Sequence, residues 1–364
     1  MVKKKVLILV NHEVVIYNFR KELVHKLISR GYDVKISCPP GPKLKELEAM
    51  GCEIIEQSIN RRSVNPLQDV KLLFDYVKIF RKIKPDVVLT YTIKPNIYGG
   101  IVSSLLKIPY IATITGLGSS LHKESILKKI MIMLYKAGLR EAKAIFVQNQ
   151  NNAEFLVSNG FNQEQLFLVP GSGVNLQEFS SKPYPQPESP IRFLFIGRIM
   201  KEKGVYELLS AAKEIKTKGY DAEFHLAGFL DDGFEVSITG IPENVRFLGP
   251  IDNIQSEIES AHAIILPSYH EGMSNALLEA AASSRPLLAS NISGCKEIIN
   301  DLKNGFLFEP QSTNSIVDKV EEFISIPYPE KVHMGYASRT KVEKEFDRSI
   351  IVDAYLKKIT EVTQ

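Results

Sequence analysis

Two glutamates stand eight positions apart in the stretch YHEGMSNALLEAA, residues 269–281. Glu271 precedes a small turn that contains glycine and serine, and Glu279 lies in the strongly helical segment that follows. N–H groups at the start of a helix suit a phosphate oxygen, whereas a carboxylate suits the hydroxyl groups of a sugar. The helix dipole alone also favours a glutamate near a helix N-terminus, so Glu279 by itself indicates a sugar ligand no more than this structural role.

Polar residues also follow the strand-like run IRFLFI, in the stretch GRIMKEKG, residues 197–204. Arg198 offers a forked guanidinium and Lys203 an ammonium, just before a helix whose N-terminus carries positive partial charge. Such groups suit a diphosphate, although this spacing alone is more typical of a solvated basic loop. Arg198 and Lys203, combined with Glu271 and Glu279, predict that the ligand is a nucleotide diphosphate with sugar hydroxyls at both ends.

Strand-like and helix-like segments alternate along the chain, which predicts two α/β domains with mostly parallel sheets. Ligands of such sheets bind at the carboxyl ends of the strands, here expected in a cleft between the domains. We expect the helix of the first motif to begin near Ala276, with Ser274 or Asn275 as its N-cap. The predicted divisions are a first domain at 1–180, a linker at 181–190, a second domain at 191–345, and a C-terminal helix at 346–364 that could pack back on the first domain.

The composition excludes several classes of protein. The 364 residues are 44% hydrophobic and 24% charged, as in soluble globular proteins of two domains. The three cysteines lack paired spacing, which indicates a reducing compartment, and no apolar run approaches the roughly 18 residues of a membrane helix. We therefore expect a cytoplasmic protein, at most peripheral to a membrane, without a nucleic acid partner. Residues 1–180 hold 25 Lys or Arg against 15 Asp or Glu, so the first half could meet an anionic partner.

The motifs GRIMKEKG and EGMSNALLE resemble the signature of the retaining, nucleotide-sugar-dependent glycosyltransferases of family four. This resemblance covers nearly the whole chain. It implies the GT-B fold, in which two Rossmann-like α/β domains face each other across a cleft. The stretch YTIKPNIYGGIVSSLLKIPYIATITGLGS resembles enzymes that build bacterial capsule, O-antigen or lipid-linked saccharides.

The resemblance also implies roles for individual residues. Arg198 and Lys203 would hold the donor diphosphate, Glu271 would sit near the anomeric centre, and these three are the catalytic candidates. Glu279 would bind the ribose. The implied donor is a UDP-sugar that carries a hexose or an N-acetylhexosamine, and the implied acceptor is a saccharide on polyprenyl diphosphate. The full donor-binding set is Arg198, Lys203, Glu271, Gly272, Met273, Ser274, Asn275 and Glu279, with backbone donors from residues 272–275.

No D-x-D pair and no cluster of His, Cys and carboxylates with ligand spacing occurs, so we expect neither a metal nor a cofactor. The cations and a helix N-terminus would stabilise the departing diphosphate instead. The resemblance implies that the leaving phosphate assists deprotonation of the acceptor.

Two first-domain loops depart from the family pattern. The loop NHEVVIYNFR lacks the glycine pair that many members carry, and TITGLGSSLH has no histidine where many members place one. The possible donor or acceptor residues in these loops are His12, Thr115, Gly116, Gly118 and His122. For His12 and His122 an ordinary structural role is the favoured interpretation.

Three questions stay open at the level of sequence. The segment HKESILKKIMIMLYKAGLREAK is either a buried core helix with basic ends or a helix at an anionic membrane surface. A nucleotide-sugar epimerase would share the two-domain architecture, and a non-catalytic sugar-nucleotide-binding protein would share the motifs. A nicotinamide dehydrogenase is disfavoured, because no G-x-G-x-x-G follows the first strand.

Overall fold

The computed structural model describes residues 3–60, 65–116, 125–186, 190–231 and 241–364. The chain forms two compact units, which we call the first unit (residues 1–172 and 348–364) and the second unit (residues 173–347). The division between Ser172 and Gly173 lies earlier in the chain than the predicted end of the first domain at residue 180.

The first unit alternates strands with helices over its described residues. Its strands are β1 Lys5–Leu9, β2 Asp33–Cys38, β3 Glu53–Glu56, β4 Val87–Tyr91, β5 Tyr110–Ile114, β6 Ala144–Val147 and β7 Leu166–Leu168. Its helices are α1 Glu13–Phe19, α2 Lys21–Ser29, α3 Leu44–Ala49, α4 Pro66–Ile83, α5 Gly100–Leu105, α6 Ile126–Leu139 and α7 Gln150–Ser158, with a π-helical turn at Pro95–Gly99. The strands pair in parallel in the order β3-β2-β1-β4-β5-β6-β7.

The second unit repeats this architecture. Its described strands are β8 Ile191–Ile196, β9 Ala222–Ala227, β10 Val245–Gly249, β11 Ala263–Leu266, β12 Leu287–Ser290 and β13 Gly305–Phe308. Its helices are α8 Val205–Thr217, α9 Ile254–Ser260, α10 Asn275–Ala282, α11 Thr313–Ser325 and α12 Tyr328–Glu345. The parallel strand order is β10-β9-β8-β11-β12-β13. The chain closes with α13 Arg348–Thr363, which belongs to the first unit.

Both sheets reverse their strand order next to their first strand. In the second unit β8 pairs with β9 on one side and with β11 on the other, so the loops after β8 and β11 leave the sheet at its switch point. Ligands of open α/β sheets bind at such a point, outside the carboxyl ends of the strands. These two loops carry both motifs that the sequence singled out.

Buried apolar side chains line both faces of the first sheet, as parallel strands require. On β1, Val6 and Ile8 pack toward a cluster shared with α2 and α13, whereas Leu7 and Leu9 pack toward a cluster shared with α4, α5 and α6. In the second unit one apolar cluster contains both the sheet and the helices that flank it.

The structure differs from the sequence expectation at the predicted linker, residues 181–190. Arg285 is fully buried, and its guanidinium donates to the carbonyl oxygens of Lys182 at 3.2 Å and Pro183 at 2.8 Å. Tyr184 is also buried, edge-on to His262. Because a buried arginine must satisfy its donors, it fixes this backbone on the second unit, and the segment is not a free linker.

The stretch NHEVVIYNFR, which we expected to be a loop, contains helix α1, and α2 begins directly after Arg20. The buried Arg20 guanidinium lies 5.3 Å from the ring centroid of Tyr91 and 5.5 Å from that of Tyr355. Cation–π contacts of this kind hold α13 against the strands of the first unit. Arg348 adds hydrogen bonds from Nη1 to both carboxylate oxygens of Glu22, at 3.0 and 3.1 Å.

Replacing Arg348 by Met should destabilise the first unit, because it leaves the partly buried Glu22 carboxylate without this cation. We expect a loss of about 2 kcal/mol in the free energy of unfolding, measured by urea denaturation. Lys357→Met is the matched control on the same helix, since Lys357 is an exposed lysine, and should cost no more than about 0.5 kcal/mol. Equal losses for the two variants would contradict this anchoring role.

Candidate active site at the switch point of the second sheet

The loop after β8 ends in a tight turn that starts α8. A 3₁₀ turn at Lys201–Lys203 leads to Gly204, whose φ of 68° is left-handed. A Cβ at Gly204 would lie 2.0 Å from the carbonyl oxygen of Pro267, so only glycine allows this close approach to the end of β11. Since α8 has no side-chain N-cap, its first N–H groups can serve an anion.

An ion pair joins the loops after β8 and β11. Lys203 Nζ contacts Glu271 Oε1, and Ser268 Oγ donates to the same carboxylate oxygen at 2.8 Å. The side chains are 21% exposed for Lys203 and 13% for Glu271, so the pair is shielded but can still be reached by a ligand. Its geometry places an ammonium and a carboxylate at one point of the sheet edge.

Two further hydrogen bonds tie the same loops together. The Tyr269 N–H donates to the carbonyl oxygen of Glu202 at 2.9 Å, and the Tyr269 hydroxyl donates to Glu207 Oε1 at 2.6 Å. Burial, together with the nearby Glu207 carboxylate, raises the pKa of the Tyr269 hydroxyl well above its usual value. The phenol therefore remains a donor at neutral pH and fixes the loop after β11 on α8.

A third loop, which follows β12, packs closely against Glu271. Gly294 has a φ of 92°, and a Cβ there would lie 2.8 Å from Glu271 Cβ and 2.9 Å from the Gly272 carbonyl oxygen. The Gly294 N–H in turn donates to Glu297 Oε2 at 2.7 Å. Burial first, and then the Glu271 carboxylate, raise the pKa of the adjacent Cys295 thiol, so this cysteine is a neutral packing residue rather than a nucleophile.

Helix α10 begins one residue earlier than expected, at Asn275, and Ser274 is its N-cap. The Ser274 hydroxyl accepts from the Leu277 N–H at 3.3 Å, and the Ser274 N–H donates to the Gly294 carbonyl oxygen at 2.9 Å. This corrects the sequence expectation that residues 272–275 all offer backbone donors, because the N–H of Ser274 is already used. Met273 is also buried in the core, so its side chain cannot contribute.

Glu279 lies one turn after Asn275 on the same face of α10, since residues four apart are neighbours on a helix. The opposite face is buried through Leu277, Leu278 and Ala281. Asn275 Oδ1 is buried and has no hydrogen-bond partner among the described residues. The helix thus presents polar groups along one half-exposed strip that starts at the loop of Glu271.

Arg198 follows β8 directly and is more exposed than Lys203. Its side chain is 58% exposed, and its Nη1 lies 3.6 Å from Asp231 Oδ1. A pair this exposed contributes little to stability, so the guanidinium can exchange Asp231 for another anion at small cost.

The remaining candidate residues lie apart from this ion pair or outside the described residues. In the first unit, His12 is the N-cap of α1: its Nδ1 accepts from the Val14 N–H at 3.3 Å and lies 3.1 Å from Glu13 Oε2. Thr115 and Gly116 directly follow β5 and are half-buried. Gly118 and His122 lie outside the described residues.

Sequence reasoning did not find three residues that shape the site, namely Ser268, Tyr269 and Gly294. Ser268 and Tyr269 directly precede the motif of Glu271, and their position just after a buried strand was the available signal. Gly294 gave no local signal, because its role depends on the fold bringing β11 and β12 side by side. Among the described residues, no group of three His, Cys, Asp or Glu side chains is placed to hold a metal ion.

Family models match both units of the chain. Residues 5–149 match a model described as glycosyl transferase 4-like, and residues 177–341 match one described as glycosyl transferases group 1. The chain belongs to the GT-B glycosyltransferases. The predicted family and fold class are therefore confirmed, and the enzyme transfers glycosyl groups.

Curated relatives and solved structures extend this match over the full length. The chain is 26% identical, over 94% of both chains, to the N,N'-diacetylbacillosaminyl-diphospho-undecaprenol alpha-1,3-N-acetylgalactosaminyltransferase of Campylobacter jejuni. It is 24% identical, over 89% of both, to the capsular polysaccharide biosynthesis glycosyltransferase CapM of Staphylococcus aureus. HepE of Anabaena, solved in complex with UDP and glucose, superposes with a TM-score of 0.80 at 15% identity, over 98% of this chain and 100% of HepE. In the described part of the glycosyltransferase, no helix is long and apolar enough to span a membrane.

Gly294→Ala should destabilise the second unit by about 2–4 kcal/mol, because it combines left-handed strain with displacement of Glu271. Gly219→Ala is the matched control, since Gly219 also has a positive φ, 85°, but a Cβ there meets nothing within 4 Å. We expect the control to cost only about 1 kcal/mol in thermal or urea unfolding. Similar costs for the two variants would show that Gly294 does not support the Glu271 loop.

Proposed function

We propose that this glycosyltransferase moves a hexose or N-acetylhexosamine from a UDP-sugar to a saccharide acceptor carried on a polyprenyl diphosphate, with retention of anomeric configuration and without a metal. The observation that carries the proposal is the Lys203–Glu271 pair at the switch point of the second sheet, beside an uncapped helix N-terminus. A cation and helix N–H groups suit a diphosphate, and a carboxylate beside them suits sugar hydroxyls.

In this proposal the diphosphate of the donor binds within reach of Lys203 and of the first turn of α8. Arg198, bound only loosely to Asp231, supplies a second cation. When the bond between the anomeric carbon and the β-phosphate oxygen breaks, its electron pair and negative charge pass to the diphosphate. The acceptor hydroxyl oxygen bonds to the anomeric carbon, and its proton passes to the leaving phosphate. Cations and helix dipoles already fixed at that position stabilise the charge without reorganising, which is the part a metal would otherwise supply.

The two glutamates serve the two sugars of the donor. Glu271 is held by Ser268 and Lys203 through a single oxygen, Oε1, and its second oxygen can accept a hydrogen bond from the transferred sugar. Glu279, further along α10, can accept from the ribose hydroxyls. Asn275, whose buried Oδ1 has no partner among the described residues, lies between them on the same strip.

The choice of donor and acceptor draws on the relatives. The Campylobacter jejuni protein is named for a diphospho-undecaprenol-linked acceptor and transfers N-acetylgalactosamine, and HepE was solved with UDP. We infer from them a UDP-sugar donor and a lipid-linked saccharide acceptor at the inner face of the cytoplasmic membrane. The three cysteines are buried as free thiols, which is consistent with a reducing compartment.

Lys203→Ala should weaken binding of UDP by about 10- to 100-fold, the usual worth of one charge-assisted hydrogen bond. Isothermal titration calorimetry measures this, and EDTA should leave the affinity of the unaltered protein unchanged. Lys201→Ala is the matched control, because Lys201 is an exposed lysine of the same 3₁₀ turn. Loss of UDP binding in EDTA would overturn metal independence, and equal effects of the two substitutions would overturn the placement of the diphosphate.

Glu271→Gln and Glu279→Gln should separate the two ends of the donor. We expect Glu279→Gln to weaken both UDP and UDP-sugar about tenfold, because each contains the ribose. Glu271→Gln should leave UDP affinity equal or higher, since it releases Lys203, yet reduce kcat by about 100-fold or more with the transferable sugar. Calorimetry and turnover with the UDP-sugar would measure both effects, and NMR of the product would report its anomeric configuration. A binder without transferase activity would show the affinity changes but no product.

A further inference from the structure

One face of the first unit exposes an unusual amount of apolar surface. Sixteen large apolar side chains are exposed in the described part of the chain, and eight of them lie on α4, α5 and α6. These three helices cover the same side of the first sheet, where their inner side chains share one core cluster. We call the eight residues the apolar face: Leu67, Val70, Phe74, Leu105, Ile126, Leu127, Ile130 and Met133.

Helix α4 carries two apolar stripes, although packing on the sheet needs only one. The inner stripe, with Leu72, Tyr76 and Phe80, is buried. The outer stripe has Leu67 at 80%, Val70 at 52% and Phe74 at 62% exposure. Residues at i, i+3 and i+7 share one helix face, so these three side chains form a continuous strip on the outer side.

Helix α6 is exposed where its sequence is most apolar. None of the residues Ile126–Leu134 is buried, although Met131, Ile132 and Leu134 pack partly against the core. The fully buried contacts of the helix are Tyr135, Gly138 and Leu139 in its second half. Ile126 is 79% exposed and Met133 63%. The structure thus favours the surface interpretation of this segment over the buried core helix.

The exposed charged side chains beside the apolar face are lysines, whereas the carboxylates of α4 are half-buried. Helix α6 contains three lysines and no carboxylate, and Lys129 and Lys136 are exposed beside its apolar strip. On α4, Lys71 and Lys78 are exposed on the outer side, and Lys78 Nζ lies 4.0 Å from Oδ1 of the less exposed Asp75. Lysines that flank apolar side chains complement anionic lipid headgroups, which attract each nearby cation, whereas a purely apolar protein interface would not need them.

We propose that the apolar face docks on the surface of an anionic lipid bilayer, with Leu67, Phe74, Ile126 and Met133 buried at the headgroup boundary and the lysines against the phosphates. The contact is peripheral and uses side chains of α4, α5 and α6 rather than the single segment that the sequence indicated. This docking deepens the proposed function, because it places the first unit on the membrane that holds a lipid-linked acceptor. Only the identity of that acceptor rests on the proposed function.

Vesicle sedimentation tests the proposal with the full-length protein. Vesicles of equal parts phosphatidylcholine and phosphatidylglycerol should sediment the protein at low salt, and pure phosphatidylcholine vesicles should sediment much less. Phe74→Ser combined with Met133→Ser should reduce the bound fraction at least about tenfold, because both side chains enter the headgroup boundary. Lys71→Gln combined with Lys129→Gln should reduce it about fivefold per charge at low salt and have little effect at about 1 M salt, where charges are screened.

Ile350→Ser combined with Leu168→Ser is the matched control, since both residues are exposed apolar side chains of the first unit outside the apolar face. The control should sediment like the unaltered protein, and calorimetry with UDP should give the same affinity for every variant. No sedimentation of the unaltered protein at low salt would overturn the proposal, as would equal losses in the control. A dimer in light scattering that the Phe74 and Met133 substitutions dissociate would assign the face to a second copy instead. Failure of UDP binding with intact sedimentation would overturn the proposed function alone.

Discussion

The ion pair between Lys203 and Glu271 is the interaction on which the site depends. It joins the loops after β8 and β11, the two strands between which the second sheet reverses its order. A lysine and a glutamate that are mostly shielded from water would cost desolvation energy unless their remaining groups were satisfied, and Ser268 satisfies part of the carboxylate. The pair holds a cation and an acceptor in place before any ligand arrives, so little reorganisation remains for binding.

The surrounding structure can be understood as support for that pair. Gly204 lets α8 begin against the backbone of Pro267, Tyr269 fastens the loop of Glu271 to Glu207, and Gly294 leaves room behind Glu271. These contacts come from the ends of β8, β11 and β12, so the site requires these three strands to be paired. Arg198 is held more loosely, which suits a residue that contacts a ligand from the side.

Much of the fold and part of the site could be predicted from the sequence. Alternating strand and helix signals are local, so they predicted two parallel α/β sheets, and Arg198, Lys203, Glu271 and Glu279 were found because they follow strands. Contacts between distant segments could not be predicted. Nothing near Pro183 indicates that Arg285 fixes it, and the left-handed Gly294 matters only because β12 pairs with β11. On α4, apolar periodicity indicated a helix but could not show that Leu67, Val70 and Phe74 form a second, exposed stripe.

The central claim is that Lys203 and the N-terminus of α8 hold the diphosphate of a UDP-sugar. A crystal structure of the protein with UDP tests it most directly. We predict a phosphate oxygen about 3 Å from Lys203 Nζ and from the first N–H groups of α8, with the ribose hydroxyls at Glu279. UDP bound elsewhere, with the Lys203–Glu271 pair unchanged and no phosphate contact to α8, would contradict the account.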